Sequence, residues 1–301
     1  MSEETTSAVR SRSAMRICTW LCRCGWLAML WCLGLAPAPV RCGSGEYRPP
    51  VAFFATPQSA NFLSTGLGGY VGVGYTHAWQ TPLSGHEGDR WQLGSLGLFY
   101  RPTRWLLLLV RGGLYQRLGA AKRQAAPRIL LSGDSLHDVE DFEVHAVVLL
   151  WSGGAGRRAL SFRLGMRLPN TNQHQGMGTN TSDLFFSLHW GMAVGRVQLI
   201  LDGGVGILTA PLETNSQNDV ALYGAAVLWP VGRDVWLGAE VNGFFTTRHV
   251  IPAGTESRGV ARLGGHWQRG AAGLEVYGQI GLTRRSGKLG GGLLLTWWLP
   301  W

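Results

Sequence analysis

Leu184-Phe-Phe-Ser-Leu-His-Trp-Gly-Met-Ala-Val194 separates into two faces when read at a period of two. Leu184, Phe186, Leu188, Trp190, Met192 and Val194 fall on one face; Phe185, Ser187, His189, Gly191 and Ala193 fall on the other. A helix would mix these sets, whereas a strand keeps them apart. Upstream, Leu160, Phe162, Leu164, Met166 and Leu168 alternate with Ser161, Arg163, Gly165 and Arg167, so two arginines point away from an apolar face. The same periodicity predicts twelve strands, over 66–79, 89–100, 105–116, 142–151, 159–168, 184–194, 197–208, 220–229, 235–245, 259–267, 274–283 and 289–298.

Strands of this length suit a tilted crossing of a bilayer. The connections alternate too. Residues 101–104, 152–158, 195–196, 230–234 and 268–273 are short, whereas 80–88, 117–141, 169–183, 209–219 and 246–258 are long; the hairpin around Arg284 to Lys288 departs from the rule. The expected fold is therefore all-β: an antiparallel transmembrane β-barrel with short periplasmic turns and long extracellular loops. A secreted β-sandwich would also alternate, but its outer face should carry many charges, and only 15% of this chain is charged. The terminal run Leu295-Thr-Trp-Trp-Leu-Pro-Trp301 resembles the C-terminal signal of outer-membrane barrels. The expected partners are thus outer-membrane lipids and, through that strand, the barrel-assembly machinery.

Every cysteine (18, 22, 24, 32 and 42) precedes the predicted strands. Arginines at 10, 12, 16 and 23, an apolar core from Trp26 to Leu35, and small residues with prolines after it read as a secretory signal over residues 1–42, leaving 43–301 as the barrel. A start at Met15 would give a more compact Met-Arg n-region. Cleavage after Ala36-Pro-Ala38 or near Cys42 to Ser44 both fit, and a lipidated Cys42 is disfavoured by Arg41. The formal charge of +9 is spread along the chain rather than clustered, so nucleic-acid binding is unsupported.

Arg167-Leu-Pro169-Asn170, then Gly176-Met-Gly178-Thr179, then Asp183 and Phe185, resembles the "KLPTG … GxGT … D" stretch of the meta-pathway phenol-degradation transporters of the outer membrane, with Arg at 167 and Asn at 170 where that family has Lys and Thr. The resemblance covers one strand-loop-strand unit. It implies passage of small, often aromatic or hydrophobic, compounds across the outer membrane.

No phosphate-binding loop, zinc-hydrolase motif, cysteine pair or nucleophile elbow is present, so no catalytic residue, metal or cofactor is expected. The run Gly66-Leu-Gly-Gly-Tyr-Val-Gly-Val-Gly74 lies within a strand and reads as room for large neighbours. Strand parity predicts a lumen lined by Arg111, Glu143, His145, Arg163, Arg167, His189, Asp202, Glu240, Arg262, His266 and Glu275, with Gln198, Asn242, Tyr277 and Gln279 among them. Their mixed signs favour a self-neutralised network in a narrow or partly blocked pore. If Gly195-Arg196 is a two-residue turn, His189 faces Asp202, as a structural hydrogen bond or, alternatively, a proton-sensitive gate; His266 opposite Glu275 is a second such pair. Each short turn contains arginine (101, 104, 157, 158, 196, 233, 269), which would meet anionic headgroups or simply solvent. The expected function is a passive channel for small solutes. A structural or adhesive barrel is the alternative, and a lipid-modifying enzyme using His174, Asn180 and Ser182 is a further one.

Overall fold

A computed structural model describes residues 64–122, 135–154, 157–213 and 216–301; the leader with its cysteines, and part of the 117–141 connection, lie outside the described residues. The strands are β1 (Gly66–Gln80), β2 (Glu87–Thr103), β3 (Leu106–Lys122), β4 (Ser135–Asp138), β5 (Phe142–Gly153), β6 (Arg158–Leu168), β7 (Asp183–Val194), β8 (Val197–Thr209), β9 (Gln217–Pro230), β10 (Val235–Thr246), β11 (Arg258–Arg269), β12 (Ala272–Gly281) and β13 (Leu289–Pro300). All pairings are antiparallel, and β13 returns to β1 from Gly66↔Pro300 to His77↔Leu289, so the sheet closes on itself. The barrel wall is the twelve long strands. Closure removes the sheet edges that a bilayer would not tolerate.

The short β4 was not foreseen. Among the described residues it pairs only with the far end of β3, from Gln116↔Asp138 to Gly119↔Ser135, where Leu136 packs with Leu118, Trp79 and Met177. The β12–β13 link also differs from expectation: residues 282–288 lie at the same end as the long loops, where Arg285 donates to the Thr81 carbonyl at 2.9 Å and to Glu256 at 2.6 Å. It therefore obeys the alternation after all. Between β7 and β8, Gly195 has φ 59°, a value that suits a two-residue hairpin turn. Val194 thus pairs with Val197, and His189 with Asp202.

Outward positions are apolar: Leu188, Leu201, Leu263 and Leu295 are each at least half exposed, at 50, 55, 68 and 56%. In water, so continuous an apolar surface would be a liability; in lipid it is the stable arrangement. Exposed Trp105, Trp151, Trp229, Trp267 and Trp301 ring the end that carries the short turns, and Trp91, Tyr115 and Phe245 ring the end that carries the loops. Two aromatic girdles flanking an aliphatic band are the signature of a membrane barrel. Inside, glycines make room for rings, with Tyr70 lying across Gly97 and Trp298 across Gly68.

Two β-bulges change which residues point inward. One, at Gly94 (φ 69°), shifts the β1–β2 register between Gly72 and Val73; the other, at Ala78 (φ 53°), shifts it between Thr76 and Trp79. An extra residue reverses the parity of everything beyond it. Arg90, Gln92 and Trp79 consequently face the lumen.

Candidate functional site

The interior has two zones. Toward the turn end, Tyr70, Ile200, Ala226, Leu228 and Leu294 form one buried cluster with Phe99, Ala193 and Tyr277 packed against it. β1 and β8 stand on opposite sides of the wall in strand order, so this cluster bridges the lumen. Leu107, Leu109 and Val147 on β3 and β5 are buried as well.

Ionisable groups within this zone meet one another, while Ser161 Oγ and Gln198 Oε1 are buried with no hydrogen-bond partner among the described residues. His189 Nε2 lies 3.1 Å from Asp202 Oδ1 and 3.0 Å from Ser187 Oγ. Arg163 donates from Nε to Ser187 Oγ at 2.9 Å and from Nη2 to Asp202 Oδ2 at 3.2 Å. A hydrolytic triad needs serine and aspartate on different imidazole nitrogens; here both meet Nε2, and His189 is fully buried. His266 Nδ1 and Glu275 Oε1 are 2.8 Å apart, with the Trp236 ring at 5.7 Å from the imidazole. Both pairs are closed interior contacts.

Toward the loop end the lumen opens into a cavity of about 440 Å³. Tyr70 and Leu294 form part of its floor, and Met177, Thr179 and Gly254 from the loops form part of its roof. Arg111 pairs with Glu143 at 2.6 Å, Arg167 bridges Glu143 at 3.5 Å and Asp183 at 2.8 Å, and Arg262 reaches Glu240 at 3.2 Å and Gln279 at 3.1 Å. His145 Nε2 is 3.3 Å from Glu143 Oε2. The eleven lumen positions named from the sequence are thus gathered into three groups: Arg111, Glu143, His145, Arg167, Glu240 and Arg262 around or just below the chamber, Arg163, His189 and Asp202 as one triplet, and His266 with Glu275 as a pair.

Sequence parity missed Trp79, Arg90 and Arg258. Arg90 stacks on the Trp79 ring at 4.4 Å and lies 3.6 Å from Glu140; Arg258 approaches the same ring at 6.0 Å. The first two are turned inward by the bulges. A signal existed: the outward apolar residues run Trp91, Leu93 and then Leu96, Leu98, Tyr100, slipping phase across Gly94. Arg258 shares the parity of Arg262 but sits one residue outside the expected strand.

The loop residues of the 169–183 segment do different jobs. Asp141 Oδ1 accepts from the Asn170 and Thr171 amides at 3.1 and 3.0 Å and from Thr171 Oγ1 at 2.9 Å. Gly176 takes φ 65°, Gly178 lies against Thr171, and Asp183 Oδ1 accepts the Thr209 amide at 2.9 Å. These contacts hold Met177 and Thr179 over the chamber, while Pro169 stays exposed at the strand end. His174, Asn180 and Ser182 are exposed, and no hydrogen bond joins their side chains. Among the turn arginines, Arg101 departs from expectation: it is 2% exposed and donates to the Arg104 carbonyl at 2.6 Å, so it faces no headgroup. No group of three or more His, Cys, Asp or Glu among the described residues is placed to hold a metal ion.

A closed antiparallel wall with a lipid-facing band, two aromatic girdles and a polar interior defines an outer-membrane β-barrel. Solved structures agree on the fold: the chain is similar to an outer membrane channel from Pseudomonas putida F1, with a TM-score of 0.55 and 16% identity over 84% of this chain and 100% of that one. It also matches the translocator domain of the autotransporter NalP from Neisseria meningitidis (TM-score 0.45, 13% identity, 77% of this chain and 88% of that one) and the NanC porin (0.43, 6%, 76% and 97%). No model of a known protein family matches the chain, and no curated protein is significantly similar to it in sequence.

Proposed function

We propose that this barrel is a passive channel for small solutes, exported by a leader over residues 1–42 and inserted through recognition of its C-terminal strand by the barrel-assembly machinery. The observation that supports this is the chamber of about 440 Å³, which has the size of a small-molecule site and sits in line between the loop cap and the apolar cluster. A solute entering between the loops meets fixed hydrogen-bonding groups, then a constriction of Tyr70, Ile200, Leu228 and Leu294. Apolar constrictions of this kind regulate passage by excluding water. The resemblance to the meta-pathway phenol-degradation transporters and the aromatic wall residues Trp79, Phe244 and Tyr277 support aromatic or hydrophobic solutes. An enzymatic role is disfavoured, because the Ser187–His189–Asp202 set shares one imidazole nitrogen and is sealed from solvent.

Swelling of liposomes containing the purified barrel in isotonic arabinose is the test. Swelling above that of protein-free liposomes is expected; none at any protein density would overturn the channel.

A further inference from the structure

Arg258 stands apart from the other arginines of the chamber. Arg90, Arg111, Arg167 and Arg262 each have a carboxylate partner. The Arg258 side chain has neither a hydrogen bond nor an ion pair among the described residues; its one contact of this kind is the Trp79 ring at 6.0 Å, the outer limit of a cation–π interaction. Arg167, Arg90 and Arg285 repel it and Glu256 attracts it, and Glu256 is itself held by Arg285 at 2.6 Å. The guanidinium lines the cavity. A guanidinium with no carboxylate in contact, on the wall of a cavity where Arg90, Arg111, Arg167 and Arg262 outnumber Glu140, Asp141 and Glu143, attracts an anion that matches its fork geometry.

The rest of the wall says what body the anion has. Phe244 and Tyr277, both only partly buried, line the same cavity, so an apolar or aromatic frame has surface to cover. A bare inorganic ion would leave those rings unused. We infer that the chamber is a binding site for a small organic carboxylate, whose anionic group is taken by Arg258 and whose apolar body lies against Phe244 and Tyr277. This assignment rests on the channel reading and specifies its solute class. The site would concentrate such anions at the loop end before they meet the constriction.

Calorimetric titration of the full barrel in detergent with benzoate, and with benzyl alcohol as its uncharged counterpart, tests this. Benzoate should bind at least about tenfold more tightly than benzyl alcohol, the scale of one charge-assisted interaction. Arg258→Gln should remove that preference, Arg258→Lys should keep part of it, and Arg196→Gln in the exposed β7–β8 turn should leave it intact. Equal binding of the two probes by the unsubstituted barrel would overturn the site without any variant having to fold. A preference untouched by Arg258→Gln in a correctly folded barrel would overturn the assignment to Arg258. Arabinose swelling separates the two claims: swelling without benzoate preference sinks the anion site alone, and benzoate preference without swelling sinks the channel alone.

Discussion

The two halves of the lumen handle charge in opposite ways. At the turn end, the ionisable groups inside the barrel are few, buried and paired: His189 with Asp202 and Arg163, His266 with Glu275. At the loop end, arginines and carboxylates line a cavity and Arg258 has no anionic partner among the described residues. A buried charge is tolerated only when its partner is fixed, so the first region is structural. A charge at the edge of an open cavity of about 440 Å³ can exchange partners, so the second can bind. The same residue types are thus divided between scaffold and site by their burial.

This division predicts unequal sensitivity to substitution. Asp202→Ala removes the carboxylate shared by Arg163 and His189 and should destabilise the barrel by about 3–5 kcal/mol, the usual cost of breaking a buried pair. Glu140→Gln, at the chamber wall, should cost less than about 1 kcal/mol. Urea unfolding of the barrel in lipid vesicles measures both. Comparable losses would mean that the halves do not differ.

A second contrast runs across the wall. Leu188→Arg places a cation in the lipid-facing band and should cost about 2–4 kcal/mol of insertion free energy. Ser95→Arg, on the cavity wall, should fold with much milder loss, because its side chain has an aqueous space to enter. Ser187 is no equivalent inward control, since it is 3% exposed and hydrogen-bonded to Arg163 and His189. Heat-modifiable migration on gels, compared for the two variants, would expose an error of parity.

The wall was legible because lipid on one side and a polar lumen on the other impose alternation on every strand; the Leu184–Val194 pattern and the Gly195-Arg196 turn were enough to place His189 against Asp202. The site was legible only in part. Parity extrapolates faithfully until a bulge intervenes, and the bulges at Gly94 and Ala78 lie between the readable apolar runs and the residues that matter, Arg90, Gln92 and Trp79. The apolar bridge escaped for another reason: Tyr70, Ile200, Leu228 and Leu294 come from separate strands, and nothing local records that they meet. The β4 segment and the inward tuck of Met177 depend on the same kind of distant packing.

The orientation of the halves is testable at small cost to the fold. Cysteine at Asn172, which is exposed in the 169–182 loop, should react with an impermeant maleimide on intact cells, and cysteine at Arg196, exposed in the opposite turn, should not. The Arg196 change should not alter stability beyond about 0.5 kcal/mol, and the Asn172 change, which removes the side-chain cap on the His174 amide, should cost about 1 kcal/mol. The reverse labelling pattern would turn the barrel over and put the constriction outside.

Single-channel conductance of the unsubstituted barrel beside an Ile200→Ala, Leu228→Ala double variant, in planar bilayers, tests most directly the claim that a polar chamber rests on an apolar constriction. Small conductance from the former and a several-fold increase in the latter are expected, because the two side chains come from one wall of the cluster that bridges the lumen. Equal conductances from the two proteins would contradict the constriction and, with it, the two-zone lumen.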